Sequence, residues 1–189
     1  MNITIFGKGN MGKAIAHNFE EAGQNVDYAG RDFKGELGEI VVMAVPYGAV
    51  AGILSAHRED LKGRVLIDIT NSVNFETFDS LVVPADSSAA QEIQKEIPET
   101  AVVKAFNTTF TATLASGLVG GKEKTTVFLA SDSEEAKKKV AKALEGSPLA
   151  IKDAGALKRA RELEAMGFLQ IAMAAREQFS WTDGFAVIQ

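Results

Sequence analysis

The sequence predicts an α/β chain, built as a doubly wound, mostly parallel sheet with a short C-terminal helical and edge-strand extension. Three observations carry that prediction: short β-branched runs alternate with amphipathic stretches, several runs are apolar throughout, and the first passes directly into a glycine-rich turn. The runs are Asn2 to Phe6, Asn25 to Ala29, Glu39 to Val45, Arg64 to Ile69, Ala101 to Phe106 and Thr125 to Ala130. Ile40-Val41-Val42-Met43-Ala44-Val45 has no polar face, as a strand covered on both sides requires. Between the runs, Met11, Ile15, Phe19 and Ala22, and later Ala136, Val140 and Leu144, recur at helical spacing. Asp132 with Glu135 and Ser88 with Gln91 have capping-box spacing, and Pro46 suits the first turn of a helix.

Two connections, Asn71 to Asp86 and Asn107 to Lys124, are long and weakly periodic, which marks functional loops in a compact domain. Ala156 to Phe179 is apolar on more than one face and reads as a buried helix; after a turn at Asp183-Gly184, Phe185 to Ile188 reads as an edge strand. The reading is one domain over 1–189, with a core to 153 and the helix and edge strand over 154–189.

Composition sets the bounds. With 189 residues, 46% hydrophobic and 24% charged, the chain has the make-up of an ordinary globular domain. Such a domain buries roughly 70% of the surface its unfolded chain exposes. A net charge of −5 argues against nucleic-acid phosphates or an anionic membrane as partners. There is no apolar run of roughly 18 residues, and Met1 leads straight into the first strand, so a cytoplasmic protein is expected. Without cysteine, and with only His17 and His57 far apart, no metal site is expected.

The glycine turn is Gly7-Lys8-Gly9-Asn10-Met11-Gly12, a G-x-G-x-x-G after a strand and opening a helix. That context is the one a Rossmann dinucleotide loop requires, with a glycine-rich turn that holds no ligand as the alternative. Gly7 permits the tight turn, Gly9 lets a pyrophosphate approach the backbone, and Gly12 lets helix and strand pack closely. The helix N-terminus favours the anion. NAD-selective loops place an acid at the end of the second strand; here the strand runs into Gly30-Arg31, with Lys34 following. Arg31 offers a donor fork for a 2′-phosphate, which points to NADP(H), although a solvated Arg31 paired with Asp32 is the alternative.

Ligands in such sheets bind outside the carboxyl ends of the strands. Ala44-Val45-Pro46-Tyr47, Thr70-Asn71 and Ala105 through Asn107 and Thr108 occupy three of those ends. Ala44, Val45, Pro46, Tyr47, Thr70, Asn71, Ala105 and Asn107 therefore join the candidate cofactor residues. Pro46 is equally explained as an ordinary helix start, and Asn71 and Asn107 as turn residues.

The ordered set of Gly7 to Gly12, Gly30-Arg31, Ala44-Val45-Pro46, Ile67-Asp68-Ile69-Thr70-Asn71, Ser88-Ala89-Ala90, Val102 to Thr108 and Asp153-Ala154-Gly155 resembles the NADPH-dependent coenzyme F-420 (deazaflavin) reductase family over nearly the whole chain. It is also similar to the cytoplasmic domain of the metalloreductases called six-transmembrane epithelial antigens. The resemblance implies hydride transfer between NADP(H) and a flat redox ring, in a crevice walled by Asn107, Thr108 and the segment around Gly155. Gly30 stands where the family usually has a serine, and Trp181 lies in a tail outside the resemblance.

No catalytic acid or base is expected. Tyr28 and Tyr47 lack a lysine one helical turn on, and His17 and His57 read as surface or capping residues, as Lys137-Lys138-Lys139 reads as a solvated face. A conjugated acceptor such as a deazaflavin, flavin or quinone spreads the arriving electron pair over its ring and takes its proton from water, so positioning suffices. Alternatives are an NADPH-dependent flavin, quinone or metal-chelate reductase, and a non-enzymatic NADP(H)-sensing module. The apolar helix over Ala156 to Phe179 is a candidate homodimer contact.

Overall fold

The first five strands each begin where an apolar run begins. In the computed structural model, which describes residues 1–30, 33–74, 76–77 and 79–188, β1 (Asn2–Phe6), α1 (Asn10–Glu21), β2 (Asn25–Ala29), β3 (Ile40–Met43), α2 (Tyr47–Leu61), β4 (Val65–Asp68), α3 (Ala89–Glu96) and β5 (Ala101–Lys104) alternate as the sequence predicts. There follow α4 (Thr111–Ser116), a hairpin of β6 (Leu118–Val119) and β7 (Glu123–Lys124), β8 (Thr126–Ala130), α5 (Glu134–Ala143), β9 (Ala150–Gly155), a 3-10 turn at Leu157–Arg159 and α6 (Ala160–Ala175).

The main sheet has the order β2-β1-β3-β4-β5-β8-β9. Every pair is parallel except β5 with β8. The switch in winding falls between β1 and β3. Side chains of the apolar strands alternate between two cores: Ile5, Ile40, Val42 and Ile67 pack with Ile15 and Phe19 of α1 and Val140 of α5, while Val41, Met43 and Leu66 pack with Leu54 of α2 and Ile93 of α3. Helices thus cover both faces, which is why the strands carry no polar side.

Several expectations are corrected. Phe185 to Ile188 forms no strand; the Phe185 amide donates to the Gln170 side chain at 3.1 Å and its ring packs against Phe179, so the segment follows α6 instead of a sheet edge. α6 is shorter than 156–179 and only half buried, with Leu169 exposed and Phe168, Ile171 and Met173 partly so. The cap of α5 is Ser133, whose hydroxyl accepts from the Ala136 amide, while Asp132 accepts from the Leu157 amide at 3.0 Å and begins the 3-10 turn. Ser88 does cap α3, through the Gln91 amide at 3.1 Å. Pro46 is the N-cap residue of α2, not its first turn. Lys137 is not on the solvated face: it is buried, and its ammonium meets Asp153 at 2.8 Å and Glu134 at 2.7 Å. His57 is likewise buried, at a kink in α2 against the Phe6 ring.

Candidate functional site

Gly7 stands at the switch point with φ +112, and a side chain there would bring Cβ to 2.1 Å from the Ala44 carbonyl oxygen. A Cβ on Gly12 would meet the Gly7 carbonyl at 2.3 Å. Only glycine lets β1, its loop and the β3 end close this tightly. Gly9 differs: it is the extended N-cap of α1, and nothing lies within 4 Å of where its Cβ would stand. The opening above Gly9, beside the exposed Lys8 and Asn10, is free for an anion at the first turn of α1. Met11 faces the other way and packs on the α1 core.

Beside the loop lies a cavity of about 560 Å³, bounded by Gly7 and Lys8, by Ala29 and Gly30 at the end of β2, and by Val45. Its far wall is one face of α2, where Gly48, Gly52 and Ala56 recur at one-turn spacing and leave room for a ring system. The sequence reading overlooked this face, although small residues repeating every four positions after a strand end were its signal. Lys34 is exposed. Arg31, the residue expected at the 2′-phosphate, lies outside the described residues.

The β4 and β5 ends form a second, polar half. Asp68 and Lys104 are register partners on adjacent strands and both point to the α2–α3 side, two residues beyond Leu66 and Val102. The Lys104 ammonium donates to Asp68 Oδ2 at 2.8 Å, to the Thr70 carbonyl, and meets Glu164 Oε1 of α6 at 2.8 Å. All three charged side chains are sealed from solvent. Burial alone would pull the Lys104 ammonium down, but the charges of Asp68 and Glu164 hold it above the ordinary lysine value. The surplus carboxylate charge is met at the N-terminus of α3, where Glu164 accepts from the Ala89 amide at 2.9 Å, the Ala90 amide at 3.3 Å and the Ser72 hydroxyl at 3.0 Å. This cluster was missed at the level of sequence. Its trace was a charge inside each of three apolar runs, since buried strand positions hold charges only in pairs.

Asn71 and Asn107 are brought together. Each donates from its side-chain amide to the other, Asn71 to the Asn107 carbonyl at 3.1 Å and Asn107 to Asn71 Oδ1 at 3.0 Å. Asn107 also donates to the Leu163 carbonyl of α6 at 2.8 Å. The turn that allows this passes through Phe106 at φ +62, a strained conformation for a bulky residue, held by burial of its ring against Phe19. Thr108 is buried beside them and its carbonyl accepts from Gln170. Ala105 ties the two strand ends by donating to the Asp68 carbonyl at 3.1 Å. Tyr47 is half-buried across from this group; burial, then the nearby charges of Glu92, Glu164, Asp68 and Glu96, raises its phenol above the ordinary value, so it stays a donor. Gly155 stands apart, on the outermost strand with β8 between it and β5. Its amide donates to Asp153 at 2.7 Å.

The sheet order and the switch-point loop define a Rossmann-type fold. In sequence it is similar to the F420-dependent NADP reductase of Methanocaldococcus jannaschii, 28% identical over 142 residues that make up 72% of this chain and 62% of that protein, so it spans less than two thirds of that relative's length. In structure it is similar to a candidate F420-dependent NADP reductase from Arthrobacter, with a TM-score of 0.85, 24% identity and complete coverage of both chains. An imine reductase from Myxococcus stipitatus in complex with NADP+ matches at a TM-score of 0.65 and 15% identity, over 94% of this chain and 63% of that one. No family model matches the sequence. The resemblance to deazaflavin reductases read from the residues is therefore met by a relative of that name, and the doubly wound fold is shared along the whole chain. Among the described residues, no helix is long and apolar enough to cross a membrane.

Proposed function

We propose that the chain is an NADP(H)-dependent oxidoreductase that passes a hydride between the nicotinamide and a flat conjugated redox ring, a deazaflavin being the substrate class suggested by the M. jannaschii relative's name. The observation that carries this reading is the continuous cradle at the switch point: open space over Gly9, the cavity of about 560 Å³ beside it, and the polar strand ends of β4 and β5. The residues suit the cofactor, because a side chain on Gly9 would take the phosphate's place and the buried Thr70 hydroxyl has no partner.

The bound cofactor supplies the hydride. The chain's own residues bind and orient: Gly7 to Gly12 hold the pyrophosphate, the α2 face takes the adenine, and Gly30, Arg31 and Lys34 take the 2′-phosphate. Ala44, Val45, Pro46 and Tyr47 line the passage to Thr70, Asn71, Ala105 and Asn107 at the nicotinamide half. Asn107 and Thr108 border the acceptor, with Gly155 further out. With no acid or base of the chain taking part, what these residues would contribute is orientation, holding the two rings face to face.

A steady-state screen of NADPH and NADH against a deazaflavin, a flavin, a quinone and a ferric chelate tests the reading. Saturable oxidation of NADPH by the deazaflavin is expected, with NADPH favoured over NADH by about tenfold or more through charge-assisted contacts to the 2′-phosphate. Tight NADPH binding without turnover of any acceptor would make the chain a sensor. The partly exposed apolar side chains of α6 further support pairing of two copies through that helix, and a monomer in sedimentation at micromolar concentration would refute it.

A further inference from the structure

A helix at the surface of a domain turns its apolar stripe to the core and its charges to water. α6 departs from this on its outward face. Its buried residues Ala160, Leu163, Glu164, Gly167, Gln170 and Ala174 lie on one side, where Glu164 meets Lys104 and Gln170 donates to the Thr108 carbonyl. On the opposite side Arg161, Ala165, Leu169, Ala172 and Arg176 recur at intervals of four, four, three and four, and so form one stripe. The middle of that stripe is apolar: Leu169 is 53% exposed, and Phe168 and Met173 on its flanks are partly exposed. Among the described residues, every large apolar side chain left exposed, except Val82, belongs to α6 or to the tail after it. Exposed apolar side chains gathered in this way mark a surface that another molecule covers.

The charges at the two ends of the stripe say which molecule. Arg161 and Glu162 stand at one end, both about half exposed and 2.7 Å apart, and the exposed Arg176 and Glu177 stand at the other. Arg161 and Glu177 are each eight residues from Leu169, and Glu162 and Arg176 are each seven. A second α6 laid antiparallel about a two-fold axis at Leu169 therefore sets Arg161 opposite Glu177, and Glu162 opposite Arg176, twice over. Laid parallel, the same helices would oppose Arg161 to Arg161 and Arg176 to Arg176. The stripe is thus complementary to itself in one orientation only, as an isologous contact requires. We infer that α6 pairs antiparallel with α6 of a second copy, centred on Leu169 and keyed by these four charges, and that the pairing holds the inward face of α6 against the strand ends. This rests on the pairing of two copies put forward above and supplies its register.

Sedimentation equilibrium of the full chain, which gives the dimer dissociation constant, tests the register by charge reversal. The wild type is expected to be a dimer at micromolar concentration. Leu169→Glu should weaken it at least about a hundredfold, since it sets two carboxylates against each other at the apolar centre. Arg161→Glu and Glu177→Arg each place like charges opposite at both ends and should each weaken the dimer about tenfold. The double variant Arg161→Glu with Glu177→Arg restores attraction and should return to within about threefold of the wild type. Amide exchange in α6 should quicken about tenfold in dissociated Leu169→Glu, and unchanged exchange overturns the claim that pairing seats the helix. All four positions are at the surface, and a far-UV circular dichroism spectrum like that of the wild type shows the fold kept; should Leu169→Glu fail that check, the two reversals and their combination decide. A monomeric wild type overturns the pairing and the register together. A dimer untouched by Leu169→Glu places the contact on another surface, and one that Leu169→Glu dissociates but the double variant does not restore keeps the α6 contact and removes the register. Turnover of NADPH enters none of these outcomes, so the NADP(H) reading stands or falls separately.

Discussion

Glu164 on α6 and Lys104 on β5 stand 2.8 Å apart, and neither side chain reaches solvent. Through this pair the C-terminal helix is bound to the strand ends that carry the polar half of the site. Removing one partner of a buried pair leaves the other uncompensated, which costs about 3–5 kcal/mol. Lys104→Met, which strands two carboxylates, should therefore lower stability by about that amount in denaturant unfolding at neutral pH. The wild type should lose the same contribution in alkali. The Lys104 value is raised in the folded chain, so its contribution is fully present below the ordinary lysine value of 10.5 and is lost as pH rises through the higher folded value. Wild-type stability that stayed flat well above that value would contradict the raised ammonium.

The second lysine cluster gives an acid-side prediction. Asp153 is held below its ordinary value of 3.8 by the hydrogen bond from Lys137 and then by that from the Gly155 amide. A lowered carboxyl stabilises the fold above the unfolded value and loses that contribution as pH falls through the folded one. Asp153 is more than half exposed, so the effect is screened and amounts to about 1 kcal/mol or less. Asp153→Asn should be less stable than the wild type at pH 7, with the gap closing below the ordinary carboxyl range. A gap of the same size at both ends would mean that the amide packs badly and that charge is not the cause.

The three glycines of the loop should separate by experiment. Gly12→Ala drives Cβ into the Gly7 carbonyl at 2.3 Å, and Gly7→Ala adds strain at φ +112, so both should lose about 1–3 kcal/mol of stability in thermal unfolding. Gly9→Ala meets open space. It should melt like the wild type yet bind NADPH at least about tenfold more weakly, because its methyl group would stand where the proposed site receives the pyrophosphate. Equal NADPH affinity for Gly9→Ala and the wild type would place the anion elsewhere.

What was legible in the sequence follows from how each feature is encoded. The strands β1 to β5 and β8 could be read because a doubly covered strand must be apolar at every position, and the loop because its glycines answer to local backbone geometry. Asn71 and Asn107 could be named as strand-end residues, but not as partners of each other, since 36 positions separate them and only the sheet register brings them together. Glu164 was visible as one charge in an apolar helical run, but not as a partner of Lys104, because its partners are 60 and more residues away. Phe185 to Ile188 misled because an apolar run looks the same whether it joins a sheet or lies along a helix, and only the capture of the Phe185 amide by Gln170 distinguishes them. Lys137 misled because charge on a helix usually means water, and the Asp153 carboxylate that draws it inward is on another strand.

The contact between α6 and the strand ends rests on Gly167. A Cβ there would lie 2.7 Å from Asn71 Oδ1, 2.8 Å from the Asn107 carbonyl and 3.0 Å from its amide nitrogen. In an exposed helix interior, glycine to alanine stabilises by about 1 kcal/mol. At this position the added methyl group must push α6 off the paired asparagines or break their exchange of hydrogen bonds, so Gly167→Ala should instead destabilise by about 1–3 kcal/mol. The damage should also be local in a telling way. The Asn71 and Asn107 amides, at the proposed nicotinamide half, would be displaced while the α2 cavity beside Gly7 and Gly30 would not. Gly167→Ala should accordingly hold 2′,5′-ADP normally and lose turnover of NADPH, whereas a variant that melts at the wild-type temperature with full turnover would show that α6 does not press on these residues in solution.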